Sequence, residues 1–180
     1  MELENISKVL ETGSSEEKIK ILESLENIKN PEFLEKIISK LDDDDIQVRG
    51  EAFSTLVLNE NKISKFLIKS LKSTNKNIRG FTSLILANRN ETSSIPDIIK
   101  LVKDERSMVR SCAIGALGHL KAQEAKEIIV QSLFDSDLEV KKSALQSLID
   151  LNITISEDKI NKIITEGDIE IEKLLIKLKK

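Results

Sequence analysis

The sequence repeats itself at an interval of 30 or 31 residues, and this period limits the possible folds more than any other feature. An aliphatic residue marks each of four units, and the next residue is always basic. A small residue follows the marker by four positions, and a leucine follows it by eight. These positions are Val48-Arg49, Ala52, Leu56; Ile78-Arg79, Thr82, Leu86; Val109-Arg110, Ala113, Leu117; and Val140-Lys141, Ala144, Leu148. Agreement at so many positions indicates one structural unit used repeatedly.

The same phase extends to both ends of the chain. Leu10 and Leu25 continue it backwards, and Ile164 and Ile171 continue it forwards. The whole chain is therefore predicted to be a single array of about six repeats. Their ranges are about 1–29, 30–60, 61–91, 92–121, 122–152 and 153–180.

Each repeat contains two segments with helical spacing of apolar residues. Ile37, Ile38 and Leu41 follow the spacing i, i+1, i+4, and a polar break at residues 42–45 separates them from the next segment. Aspartates in such a break are good helix N-caps, and they also suit a contact with Arg49. We predict first helices at about 3–12, 31–41, 62–72, 95–103, 122–134 and 157–166, and second helices at about 16–27, 46–58, 76–88, 107–119, 138–150 and 168–179.

Cysteine content, hydropathy and the N-terminal sequence predict the cellular compartment of this chain. The single cysteine, Cys112, excludes an intramolecular disulfide and favours a reducing compartment. No apolar run approaches the roughly 18 residues of a membrane span. The acidic N-terminus does not look like a signal peptide. We therefore expect a cytoplasmic protein without a membrane partner.

The repeat resembles a known family. Residues 103–118 combine an Asp-containing turn, Val109-Arg110, small residues and Ala116-Leu117-Gly118, and this pattern resembles the HEAT repeat, in particular the short subclass named after the phycobilisome lyases. Residues 42–56 and 135–148 match it, whereas residues 73–86 depart because Ser73 replaces the aspartate. The resemblance implies an all-α fold, an α-solenoid forming a right-handed superhelix of antiparallel helix pairs, with the second helices on its concave face. It also implies a protein–protein interaction scaffold.

Residues suited to catalysis or to cofactor binding are scarce. The only histidine, His119, cannot form the imidazole-rich metal site of the HEAT-like deoxyhypusine hydroxylases. Cys112 falls beside Ala113 at an inward position, which is typical of a small buried hydrophobe rather than a reactive thiol. We find no catalytic triad pattern and no phosphate-binding loop. We therefore expect no enzymatic activity, no metal and no cofactor.

One face of the second helices is a candidate binding surface. Residues two, six and nine positions after each marker lie opposite the buried stripe, and we call this set the second-helix face. Its members are Gly50, Ser54, Val57, Gly80, Leu84, Ala87, Ser111, Gly115, Gly118, Lys142, Gln146 and Ile149. Glycine inside a helix costs about 1 kcal/mol relative to alanine, so these glycines need a reason. Close approach between helices and a groove floor for a partner protein or peptide are both possible reasons.

Charge defines an alternative surface. Residues 61–120 carry a net charge of +7, whereas residues 1–60 carry −8. Lys62, Lys65, Lys69 and Lys72 are spaced as one helical stripe, which we call the lysine stripe. It is either a solvated outer face or a site for nucleic acid or another acidic partner. Nucleic acid is disfavoured because no aromatic residues alternate with the lysines and the whole chain has a net charge of −3.

Overall fold

The computed structural model describes residues 3–25, 27–156, 160, 163 and 168–178. Within these residues every regular element is helical and none is a strand, which confirms the all-α prediction. The α-helices with described bounds are α1 (Leu3–Thr12), α2 (Ser15–Glu23), α3 (Pro31–Ser39), α4 (Ile46–Leu58), α5 (Ser64–Ser70), α6 (Lys76–Asn88), α7 (Ile95–Leu101), α8 (Ser107–His119), α9 (Lys126–Ser132), α10 (Leu138–Asp150) and α11 (Ile169–Leu178). Much of the helix predicted over 157–166 lies outside the described residues, although Ile160 and Ile163 are both helical.

The second helices α4, α6, α8 and α10 have the bounds that the sequence predicts. Side-chain caps fix three of their starts. Asp45, Asn75 and Asp137 each accept hydrogen bonds from backbone N–H groups in the first turn, the shortest being 2.7 Å from the nitrogen of Gln47 to Asp45. These caps satisfy N–H groups that the helix itself leaves without partners.

Helix α1 has its predicted bounds, but the first helices α3, α5, α7 and α9 are shorter than predicted. We predicted 62–72 and 122–134, but α5 spans Ser64–Ser70 and α9 spans Lys126–Ser132. Tighter 3-10 turns at Lys40–Asp42, Thr92–Ser94 and Gln123–Ala125 adjoin three of these helices. Apolar spacing does not distinguish a final or initial 3-10 turn from an α-helical one.

The core is aliphatic and follows the repeat. Val48, Val109 and Val140 are fully buried, as are the small residues four positions later and the leucines eight positions later. Ile78 differs because it is only half-buried. The predicted inward phase of the second helices is therefore correct.

The chain forms two compact units, Met1–Arg89 and Asn90–Lys180. In the first unit α2 packs on α4, α4 packs on α6, and the first helices α1, α3 and α5 pack in sequence. In the second unit α8 packs on α10, and α10 packs on α11. The continuous array over 1–180 stays a prediction. No described helix combines the length and apolar character needed to cross a membrane.

A candidate binding groove on the second helices

The structure divides the second-helix face into accessible and buried positions. Nine of its residues are at least partly exposed: Gly50, Ser54, Val57, Leu84, Ser111, Gly115, Lys142, Gln146 and Ile149. Gly80, Ala87 and Gly118 are buried, so their prediction as surface residues was wrong. At Gly118 the cause is a close helix approach, because an added Cβ would lie 2.5 Å from Ser147 Oγ and 2.8 Å from Ser147 Cα.

Gly50 and Gly115 are different from Gly118. A Cβ added at either position would have no atom within 4 Å, so packing does not require a glycine there. Close helix approach is therefore not the reason for the glycine at these two positions, and a groove floor there stays a prediction.

A groove lies beside Gly50 in the first unit. Its volume is about 330 Å³, and it is lined by Ile46, Arg49, Gly50 and Phe53 of α4 and by Phe81 and Leu84 of α6. We call it the α4–α6 groove. Ile46 is 72% exposed, so this wall of the groove presents an apolar side chain to solvent.

Only Gly50 and Leu84 of these groove residues belong to the second-helix face predicted from sequence. Ile46, Arg49, Phe53 and Phe81 are missing from it because that face includes only three positions per repeat. Aromatic residues are the sequence signal that could have identified this groove, because the chain has only five phenylalanines and two of them line it.

The corresponding face of the second unit is polar and internally bonded. The hydroxyl oxygens of Ser111 and Ser143 are 2.8 Å apart, and the amide of Gln146 donates to Asp150 at 3.0 Å. The Lys142 ammonium lies 2.8 Å from Glu170, 3.3 Å from Asp168 and 3.4 Å from Glu139. Hydrogen bonding to Glu170 is the main cause of a raised pKa of Lys142. These groups satisfy one another, so this face offers fewer unsatisfied contacts than the α4–α6 groove.

The arginine that follows three of the markers bonds its own turn through carbonyl groups. Arg49 Nη1 donates to the carbonyl oxygens of Asp43 at 2.7 Å and of Asp44 at 3.1 Å. Arg79 and Arg110 make the equivalent bonds five and six residues upstream. The acidic turn therefore contacts Arg49, as predicted, but through its backbone and not through its carboxylates.

Arg110 makes a further contact with the following repeat. Its Nε and Nη2 donate to the two carboxylate oxygens of Asp135 at 2.8 and 2.7 Å. This bidentate pair raises the pKa of Arg110 and lowers that of Asp135. In the first unit, Lys18 similarly contacts Asp43 at 2.9 Å.

The lysine stripe is exposed, but it does not lie on one helix. Because α5 spans Ser64–Ser70, Lys62 precedes the helix and Lys72 follows it. Lys69 Nζ is 3.0 Å from Glu35 Oε1, so part of the positive charge is neutralised by the chain itself.

The residues considered for catalysis are not arranged for it. Cys112 is half-buried, and burial raises the pKa of its thiol to about 11, which keeps the thiol protonated at neutral pH. His119 is the exposed last residue of α8. Among the described residues, no three His, Cys, Asp or Glu side chains are grouped so that they could hold a metal ion.

Solved structures with the same fold identify this architecture as that of an α-solenoid repeat protein. A structure of crescerin, which uses a TOG domain array to regulate microtubules in the primary cilium, is 15% identical, with a TM-score of 0.61 and coverage of 98% of this chain and 89% of that chain. A computationally designed armadillo repeat protein for modular peptide recognition is 17% identical, with a TM-score of 0.57 and coverage of 98% of each chain.

A designed armadillo repeat protein in complex with the peptide (KR)4 is also 17% identical, with a TM-score of 0.54 and coverage of 99% of this chain and 98% of that chain. In sequence, residues 64–149 match the family model of HEAT repeats. No curated protein sequence matches the chain. The fold is thus that of an α-solenoid, and residues 64–149 are similar to HEAT repeats.

Proposed function

We propose that this protein is a noncatalytic protein–protein interaction scaffold, and that the α4–α6 groove takes a peptide segment of a partner protein. In this proposal the groove belongs to the concave face of the solenoid, and the repeats belong to the short subclass named after the phycobilisome lyases. The protein works in the cytoplasm without a cofactor.

The observation that carries the proposal is the apolar lining of the α4–α6 groove. Ile46 is 72% exposed, and Phe53, Phe81 and Leu84 are only partly buried. Apolar side chains gathered beside an open backbone are typical of surfaces that bind other proteins, because a partner removes this area from water. Gly50 contributes by leaving the α4 backbone open to close approach.

The designed armadillo repeat proteins support the same role by analogy. One of them is described as built for peptide recognition, and another is in complex with a peptide. The shared fold supports a peptide site on a helix array of this kind, and the location that we propose for it rests on this chain's own residues.

The proposal can be tested with the substitution Gly50→Arg. A phage-displayed library of random dodecapeptides selected on the intact protein supplies a peptide probe, whose Kd is then measured by fluorescence polarisation. Gly50→Arg places a long charged side chain on the groove floor without an internal clash, so peptide affinity should fall while the Tm stays near that of the parent protein.

Gly115→Arg is the control because Gly115 also belongs to the second-helix face, has the same open surroundings and lies in the other unit. It should leave peptide affinity unchanged. Equal loss of affinity in both variants, or no loss in Gly50→Arg, would contradict the assignment of the groove.

The alternative is a site for nucleic acid or another acidic partner that uses residues 61–120. One observation favours it, since all four residues of the lysine stripe are exposed. Such a site would bind oligonucleotides with an affinity that falls steeply as salt rises. We expect no gel-shift complex at physiological salt, and a tight, salt-sensitive complex that is lost in Lys69→Glu would favour the alternative.

A further inference from the structure

In each of the four central repeats, one residue of the turn before the second helix stabilises that turn through its side chain. Its side chain accepts a hydrogen bond from the backbone N–H two residues later, at 2.9 to 3.2 Å. The four residues at this position are Asp43, Ser73, Asp104 and Asp135. A serine hydroxyl also makes this local bond, although more weakly than a carboxylate does.

Two of these aspartates also neutralise a cation of the preceding repeat. Asp43 lies 2.9 Å from Lys18, and Asp135 forms the bidentate pair with Arg110. In both cases the cation stands 25 residues before the aspartate, at the basic position of the repeat. At Arg110 the turn aspartate thus completes the bonding of a cation whose other bonds are local.

Arg49 is the basic residue that precedes Ser73. A serine is neutral and too short to replace a carboxylate, so Arg49 keeps only its two Nη1 bonds to the carbonyls of Asp43 and Asp44. Its Nε and Nη2 make no hydrogen bond or ion pair with any residue that the structure describes.

The turn before α4 contacts the residues at the start of α6. The amide of Asn77 donates to Asp42 at 2.7 Å, and the amide of Asn75 donates to the same carboxylate. Asp42 is therefore already used by these amides. Arg49 is also part of the wall of the α4–α6 groove, beside Ile46 and Phe53.

We propose that the peptide bound in the α4–α6 groove supplies the missing carboxylate, as an aspartate or glutamate side chain that binds the Nε–Nη2 edge of Arg49 between apolar residues that contact Phe53, Phe81 and Leu84. This inference rests on the proposed function and specifies the chemistry of the partner. A guanidinium edge with two parallel N–H donors matches the two oxygens of a carboxylate.

The substitution Ser73→Asp tests this inference. At Asp43 and Asp135 the aspartate keeps the turn bond and adds the ion pair, so Ser73→Asp should pair with Arg49 inside the chain. We expect a higher Tm and about ten- to hundredfold weaker binding of an acidic peptide, the range for loss of a charge-assisted hydrogen bond. Ser73→Asn keeps the turn bond without the charge, so it should leave affinity within about twofold of the parent.

The probes are synthetic peptides with capped ends and one variable residue between two leucines. That residue is aspartate, glutamate, asparagine, glutamine or lysine. The parent protein should prefer the aspartate and glutamate peptides by about tenfold or more, and Ser73→Asp should abolish this preference. A short single-stranded DNA is measured in parallel.

The outcomes separate this inference from the proposed function. Equal binding of all five peptides, with loss only in Gly50→Arg, would keep the groove and overturn the carboxylate inference. No binding by any of these peptides would also overturn the inference, while the selected phage peptide still tests the groove. DNA binding that Ser73→Asp removes would show that the anion recognised by Arg49 is a phosphate and not a peptide carboxylate.

Discussion

Alanine at Gly118 and alanine at Gly115 should change stability in opposite directions, although both residues lie in α8. A Cβ at Gly118 meets Ser147 Oγ at 2.5 Å, Ser147 Cβ at 2.7 Å and Ser147 Cα at 2.8 Å. The contact with Cα involves the backbone of α10, so a side-chain rotation cannot relieve it. Ser147 Oγ also donates to the buried carbonyl of Ile114 at 2.9 Å, and this bond must shift or break.

The expected magnitudes follow from these contacts. Overpacking costs about 1–3 kcal/mol, and a disturbed buried hydrogen bond costs about 1 kcal/mol more. The better helix propensity of alanine returns about 1 kcal/mol. Gly118→Ala should therefore lower the free energy of unfolding by about 1–3 kcal/mol. Gly115→Ala meets no atom within 4 Å and should raise it by up to about 1 kcal/mol.

Urea denaturation followed by far-UV circular dichroism measures both variants against the parent protein. Gly115→Ala should move the midpoint to higher urea concentration, and Gly118→Ala should move it lower. Two shifts of the same sign would refute the assignment of Gly118 to a helix contact and of Gly115 to open surface.

Three further predictions use the same unfolding measurement. Leu117 is fully buried, so Leu117→Ala should cost about 2–5 kcal/mol, and a cost near zero would contradict the inward phase of α8. The Thr82 hydroxyl is buried without a hydrogen-bond partner, so Thr82→Val should stabilise by about 1 kcal/mol, whereas a loss would indicate a partner for that hydroxyl. Arg110 lowers the pKa of Asp135, so their pair stabilises the fold above the ordinary carboxyl pKa of about 3.9 and is lost as pH falls below it. Asp135→Asn should reduce this acid sensitivity, and the exposed control Asp44→Asn should not.

The bounds of the second helices α4, α6, α8 and α10 could be predicted from sequence because two independent signals agree there. The apolar marker sets the phase of the buried stripe, and a capping residue such as Asp45 or Asn75 sets the start. The first helices lack this agreement. Their apolar spacing continues into 3-10 turns such as Lys40–Asp42, so spacing alone overestimates the length of the α-helical segment.

The candidate site was only partly predictable. A fixed register selects Gly50 and Leu84, but it also selects Gly118, whose lack of a side chain serves the contact with Ser147. Sequence cannot separate these uses of glycine because the difference lies in the distance to the neighbouring helix. Phe53 and Phe81 were missed because they stand at different register positions and converge only when α4 packs on α6.

The exception at Ser73 was visible in the sequence, but its consequence was not. The serine departs from the repeat pattern, and pattern alone suggests only a different turn cap. The ion pairs of Asp43 with Lys18 and of Asp135 with Arg110 show that serine at this position removes an ion pair with the preceding repeat.

The most direct test of a peptide site between α4 and α6 is a nuclear magnetic resonance titration of the ¹⁵N-labelled protein with the peptide selected by phage display. We expect saturable shifts confined to the backbone amides of α4 and α6 and to the Nε–H of Arg49. Shifts centred instead on α5 and the lysine stripe, with Ile46, Gly50 and Phe81 unchanged, would contradict it.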